Sequence, residues 1–158
     1  MSNSTPAFSH LDADGSARMV DVSAKPISAR VAVASGAIRL QAETLALIES
    51  NQIGKGNVLG TARIAGIQAA KKTAELIPLC HPLVLDFVGV DFVMGETGIA
   101  IRCEVRTVGR TGAEMEALTG VATAALTIYD MCKAVDKEML IGEVTLDHKA
   151  KTEIAPGN

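Results

Sequence analysis

Two alanine-rich segments, residues 57–76 and 112–135, constrain this chain most, because each is long enough for a helix and each is flanked by runs of β character. Alanine has the highest helix propensity. The first segment ends where Ile77 precedes Pro78, a position biased away from helical geometry. The second opens on Thr111-x-x-Glu114, the pattern of a capping box. Upstream, residues 27–40 alternate apolar with small or polar side chains (Ile27, Ala29, Val31, Val33), which predicts a strand. Residues 43–50 predict a short helix, closed by a loop at 51–56. Between the long helices, residues 83–94 and 99–108 read as strands joined by a hairpin loop at Gly95-Glu96-Thr97-Gly98. A last strand is expected over residues 140–146.

The order strand, helix, strand, strand, helix, strand predicts an α+β fold of the ferredoxin-like, split βαβ kind, an antiparallel sheet with helices on one face. Residues 1–158 are expected to form a single domain, with 1–16 a flexible arm and 150–158 a flexible tail. The chain has no Trp, one Tyr and three Phe, so its core must be built from small aliphatic side chains. No uncharged apolar run approaches the ~18 residues of a membrane span. The first ten residues lack the basic and apolar regions of a secretory signal. Cys80, Cys103 and Cys132 are odd in number and far apart, which suits reduced thiols in a cytoplasmic protein, most of them buried as small hydrophobes. A net charge of −3 with few aromatics argues against nucleic acid as a partner.

The helix at 112–135 carries two stripes. Leu118, Val121, Ala122, Ala125, Ile128 and Cys132 have the spacing of a core face. Thr119, Thr123, Thr127, Asp130 and Lys133 lie on a different side, where Asp130 and Lys133 are neighbours. An ordinary surface ion pair accounts for these two, and so does an acid/base and charge-stabilising pair in a pocket. Glu114 has a structural explanation in the capping box, whereas Glu116 suits either a solvated first-turn acid or a catalytic one. Two prolines flank Cys80-His81, so this stiff connection presents a thiol and an imidazole at a fixed place. No second Cys or His stands at zinc-ligand spacing. Lys55, between Gly54 and Gly56 just ahead of a helix, can hold phosphate beside free backbone amides, although the pattern is not a P-loop. Lys25, Arg30, Lys71, Lys72 and Lys149 are further cations. These residues support an anion-binding α+β domain with a candidate His, Asp and Lys set.

The same residues carry a resemblance that runs from about residue 10 to 149. Met19-Val20-Asp21-Val22-Ser23-Ala24-Lys25, Lys55-Gly56-Asn57 and residues 61–71 resemble successive blocks of the cyclic pyranopterin monophosphate synthase (molybdenum cofactor biosynthesis protein C) family. So do Leu76-Ile77-Pro78-Leu79-Cys80-His81-Pro82-Leu83, residues 112–119 and the longest block, residues 124–135. The resemblance implies an enzyme that acts after a radical S-adenosylmethionine enzyme on a cyclised dihydro-GTP. It would rearrange that compound to cyclic pyranopterin monophosphate and release pyrophosphate, as a lyase without a redox cofactor. It implies Asp130 as catalytic acid/base, Lys133 as its cationic partner and Lys55 as a catalytic lysine. Leu79, Cys80, His81, Glu114, Met115 and Glu116 match substrate-contacting positions, and Asp21, Lys25, Arg30 and Lys149 match polar positions around the site. It further implies a homohexamer, a trimer of dimers, with sites at subunit interfaces, and no cofactor beyond Mg²⁺ accompanying the triphosphate. Asn57 stands where an acid commonly follows the Lys-Gly pair, and Gly60 and Gly66 are expected at close packing contacts.

Overall fold

Strand β3 (Gly98–Gly109) sets the layering, because every second side chain from Ile99 to Thr107 is buried and those between them are not. The computed structural model describes residues 15–154. Within them, β1 (Ser28–Arg39) is followed by α1 (Ala42–Glu49), α2 (Val58–Lys71) and the single turn α3 (Thr73–Leu76). Then come β2 (Phe87–Met94), β3, α4 (Glu114–Cys132) and β4 (Leu140–Glu153). The sheet order is β2-β3-β1-β4 with every pair antiparallel. Helices α2 and α4 pack against each other on one face of it. This is the ferredoxin-like arrangement expected from the sequence.

The core is aliphatic. Ala32, Ala34 and Ile38 of β1 meet Val121, Ala125 and Ile128 of α4, all wholly buried. The two long helices touch at glycine: a Cβ on Gly66 would lie 2.9 Å from the Gly120 carbonyl oxygen, and one on Gly120 would lie 2.7 Å from Cys103 Sγ. Gly66 therefore serves a close contact within one chain, so no second subunit is needed to explain it. Gly60 is different, since its amide donates to the Asn57 side chain that caps α2. Cys103 and Cys132 are buried, as expected, and burial pushes the Cys103 thiol up to about 12.

Three boundaries differ from expectation. The helix expected over residues 57–76 breaks at Lys72, where the Thr73 hydroxyl donates to the carbonyls of Ala69 and Ala70 and competes with the backbone ladder. The capping box at Thr111 does not form, because α4 begins at Glu114 itself, with Ala113 as its uncapped N-terminal neighbour. Strand β4 continues to Glu153, through part of the expected tail, pairing with β1 as far as Ser28. It is an edge strand whose residues are exposed on both sides beyond Gly142, so it shows none of the alternation that marks a half-buried strand. The arm at 1–16 and the tail from 155 lie largely outside the described residues.

Strand β4 is also irregular. Its pairing with β1 slips between Val33 and Ala34 and again between Ser35 and Ala37. Asp147 is the extra residue at the first bulge, and its carboxylate accepts hydrogen bonds from the hydroxyls of Ser35 (2.9 Å) and Thr145 (3.0 Å). Glu143, at the second, has φ +56°.

Candidate functional site

The C-terminal end of α4 presents a compact charge cluster. Asp130 receives Lys55 Nζ at 2.8 Å on one carboxylate oxygen and Lys133 Nζ at 2.7 Å on the other. Lys55 Nζ also donates to the Asp130 backbone carbonyl at 2.9 Å. Lys133 reaches its partner because three residues along a helix is nearly one turn. Lys55 arrives from the turn before α2, where Gly56 adopts φ +96°, a conformation that glycine adopts freely. The hydrogen bond from Lys133, then that from Lys55, holds the Asp130 carboxyl down at about 2, and Asp130 in turn raises Lys133. All three side chains are solvent-exposed. Asn57, where the resemblance leads us to expect an acid, caps α2, and the charge of Lys55 is met by Asp130.

The N-terminal end of α4 presents the other candidates. Glu114 faces Lys149 of β4 at 3.5 Å. Lys149 lies opposite Ala32 of β1, on the helix-covered side, and Lys151 lies opposite Arg30 on that same side. Glu116 is 4% exposed, and burial, with a smaller contribution from the charge of Glu114, raises its carboxyl above the usual range. It borders a small cleft together with Lys71, Lys72, Glu75 and Pro82. Cys80 is half-buried, and burial, reinforced by Glu116, pushes its thiol up, so it is a poor nucleophile. His81 sits beside it, its Nε2 2.7 Å from the Val20 carbonyl oxygen. Leu79 is half-buried next to them and Met115 is exposed.

Asp21 and Lys25 lie on the segment that passes His81. Asp21 accepts from the Ser23 amide at 2.8 Å, and hydrogen bonding from Ser23 lowers its carboxyl, with a smaller effect of His81. Arg30 donates to the carbonyls of Gly109 (3.3 Å) and Arg110 (3.0 Å). Arg110, which no sequence pattern singles out, donates to the carbonyls of Ser23 (3.2 Å) and Lys25 (2.7 Å). A concavity of about 450 Å³ at the hairpin end of the sheet is lined by Arg39, Val93, Thr97, Leu140 and Glu143 and contains none of these candidates.

The candidates therefore form two groups. Asp130, Lys133 and Lys55 are together at one end of α4, and Glu114, Glu116, Cys80, His81 and Lys149 are near the other. Glu114 and Asp130 are sixteen residues apart along α4, about 24 Å at the helical rise. Among the described residues no group of three or more His, Cys, Asp or Glu could hold a metal ion, and no helix is long and apolar enough to cross a membrane.

The ferredoxin-like sheet thus carries a cationic corner at one end of its second long helix and a buried carboxyl close to Cys80 at the other. The chain belongs to the MoaC family, whose pattern matches residues 19–152. It is 53% identical over 152 residues to a cyclic pyranopterin monophosphate synthase of Bordetella petrii, covering 95% of this chain and 94% of that one. Proteins of the same name from Roseiflexus sp. and Novosphingobium aromaticivorans are each 56% identical, over 90% of this chain and 92% and 90% of theirs.

Proposed function

We propose that this protein is a cyclic pyranopterin monophosphate synthase of molybdenum cofactor biosynthesis. It converts cyclised dihydro-GTP, made by a radical S-adenosylmethionine enzyme, to cyclic pyranopterin monophosphate and pyrophosphate. The observation that carries this reading is kinship at 53–56% identity along nearly the whole chain to proteins of that name. The chemistry fits: a lyase working on a triphosphate needs cations for the phosphates and proton carriers for ring opening and closure. Its place of work is the cytoplasm.

Roles follow from the environments. Lys55 and Lys133 supply positive charge. Asp130, ionised above about pH 2, is a weak proton acceptor at neutral pH and acts by orienting the two ammonium groups. Glu116 is raised by burial, which moves a carboxyl toward the range where it exchanges protons at working pH. We assign it as general base, with His81 as a second proton carrier, and Leu79, Cys80, Glu114, Met115, Asp21, Lys25, Arg30 and Lys149 around the substrate. Any Mg²⁺ would arrive on the triphosphate, held by its oxygens and one or two carboxylates.

No reacting ring can lie within hydrogen-bond reach of both ends of a helix about 24 Å apart. A complete site then takes its cationic corner from one subunit and its Glu116–His81 half from another, in keeping with a homohexamer built as a trimer of dimers. The first test is to incubate the purified protein with enzymatically made cyclised dihydro-GTP and follow both products by mass spectrometry, with Lys133→Ala as control. The second mixes inactive Lys133→Ala and His81→Ala chains by unfolding and refolding. In a two-fold pair that shares its sites, one site of each mixed dimer is intact, so about a quarter of the wild-type activity returns. Substrate binding without either product would instead favour a ligand-binding module.

A further inference from the structure

A carbonyl oxygen can only accept a hydrogen bond, so the 2.7 Å contact between His81 Nε2 and the Val20 carbonyl requires the proton to sit on Nε2. The neutral ring then has Nδ1 as its single basic atom. What keeps the Val20 carbonyl in place is a chain of contacts that leads through Asp21, Lys25 and Arg30 to Arg110, which is not among the candidates. Residues 19–25 form an exposed strap without regular secondary structure. The strap is folded internally by the Ser23 amide on Asp21 (2.8 Å) and the Lys25 amide on the Val22 carbonyl (3.0 Å). It is tied to the sheet by Arg110, whose Nη1 donates to the carbonyls of Ser23 and Lys25. Arg110 is itself fixed where β3 ends, since Arg30 of β1 holds the carbonyls of Gly109 and Arg110. The other side of the ring's mounting is stiff as well, with Pro78 and Pro82 flanking Cys80-His81.

We infer that Arg110 is a positioning residue which, through the 19–25 strap, locks His81 as the Nε2–H tautomer and leaves Nδ1 to exchange protons with the substrate. The catalytic half of this statement rests on the proposed function, whereas the tautomer does not. A short side chain at position 110 frees the strap, the Val20 carbonyl leaves the ring, and both tautomers become populated. Lys55 and Lys133 at the far end of α4 are untouched, so the loss appears more in kcat than in KM. Misplacing a reacting group by about an ångström costs up to about a hundredfold.

The test uses the full-length protein labelled with ¹⁵N in its histidine rings, the His81 signals being assigned by their absence in His81→Gln. At alkaline pH the wild type is expected to show His81 with its proton on Nε2, and Arg110→Ala to show a mixture of tautomers with faster amide exchange over residues 19–25. Arg110→Lys, which can still donate to one carbonyl, should recover part of the order and part of kcat. His81→Gln, whose amide nitrogen mimics Nε2, should keep the strap ordered, while His81→Asn should not. A wild-type ring protonated on Nδ1 overturns the inference even if Arg110→Ala fails to fold. An unchanged tautomer in folded Arg110→Ala also overturns it. If the wild-type protein makes no product but the tautomer and its dependence on Arg110 hold, the proposed function fails and the lock stands.

Discussion

Asp136 offers the most direct stability measurement, because a single carboxylate fastens the turn after α4. It is 1% exposed; one oxygen accepts the Gln41 amide at 2.9 Å and the other the Glu138 amide at 3.0 Å. The buried Thr44 hydroxyl bonds to it too. Burial alone would raise this carboxyl, but the three donors outweigh it and the net shift is downward. Asp136→Ala strips acceptors from two amides and a hydroxyl. At about 1–3 kcal/mol for each unsatisfied donor, reduced where water can enter, the total is about 3–5 kcal/mol. A chain of this length loses about 2–4 °C of Tm per kcal/mol, so a fall of roughly 10 °C is expected. Asp136→Asn keeps one acceptor but turns an NH₂ toward a donor, and should lie about midway. The assay is urea unfolding at fixed protein concentration, since an oligomer's midpoint moves with concentration. Because the folded value lies below 3.8, the gap between wild type and Asp136→Asn should stay constant from neutral pH down to about 4. Below that it should narrow as the wild-type carboxylate is protonated. An Asp136→Ala protein within about 1 kcal/mol of wild type would refute this account, because no buried group of this kind loses three donors so cheaply.

Further expectations concern the site and the helix crossing. With Glu116 as base, turnover should fall as pH drops through a value above 4.5, the usual carboxyl value, and Glu116→Gln should lose turnover at every pH; with Asp130 as base, activity would persist toward pH 2. Asp130→Asn should release Lys55 and Lys133 from each other and lower kcat/KM without shifting the acid limb of the pH profile, as steady-state kinetics will show. Gly66→Ala should lower Tm, because overpacking against the Gly120 carbonyl at about 1–3 kcal/mol exceeds the ~1 kcal/mol that alanine contributes to a helix. A more stable Gly66→Ala protein would mean that the helices are free to separate there.

Much of the fold was legible because its elements carry strong local patterns. Strand β3 alternates cleanly, β1 and the two long helices are rich in the residues their conformations favour, and the hairpin has glycine at both ends of its loop. What escaped the sequence depended on contacts made elsewhere. The Thr73 break is a side chain competing with its own helix, and the start of α4 was misplaced because a cap pattern is necessary geometry only if the chain enters at that angle. Asp136 and Arg110 look like ordinary surface charges until the fold brings Gln41, Ser23 and Lys25 to them. Spacing correctly paired Asp130 with Lys133, since both lie on one helix. It could not say that Glu116 and Asp130 stand at opposite ends of that helix within one subunit, because a motif records residue types and order but not distance in space.

The bulge at Asp147 decides which face of the sheet the end of β4 presents to α4. Along β1, even-numbered residues such as Ala32 and Ala34 face the helices, and the extra residue re-phases β4 so that Lys149 pairs with Ala32 and comes within reach of Glu114. Flatten the bulge with the sequence unchanged, and Val33 would pair with Asp147 and Ala32 with His148, sending every later side chain to the opposite side of the sheet. The strand would still hydrogen-bond, but Lys149 would point away from α4. In this protein one extra residue in an exposed edge strand sets parity, and losing its bulge would leave the scaffold standing while it turned Lys149 and Lys151 to face the wrong way.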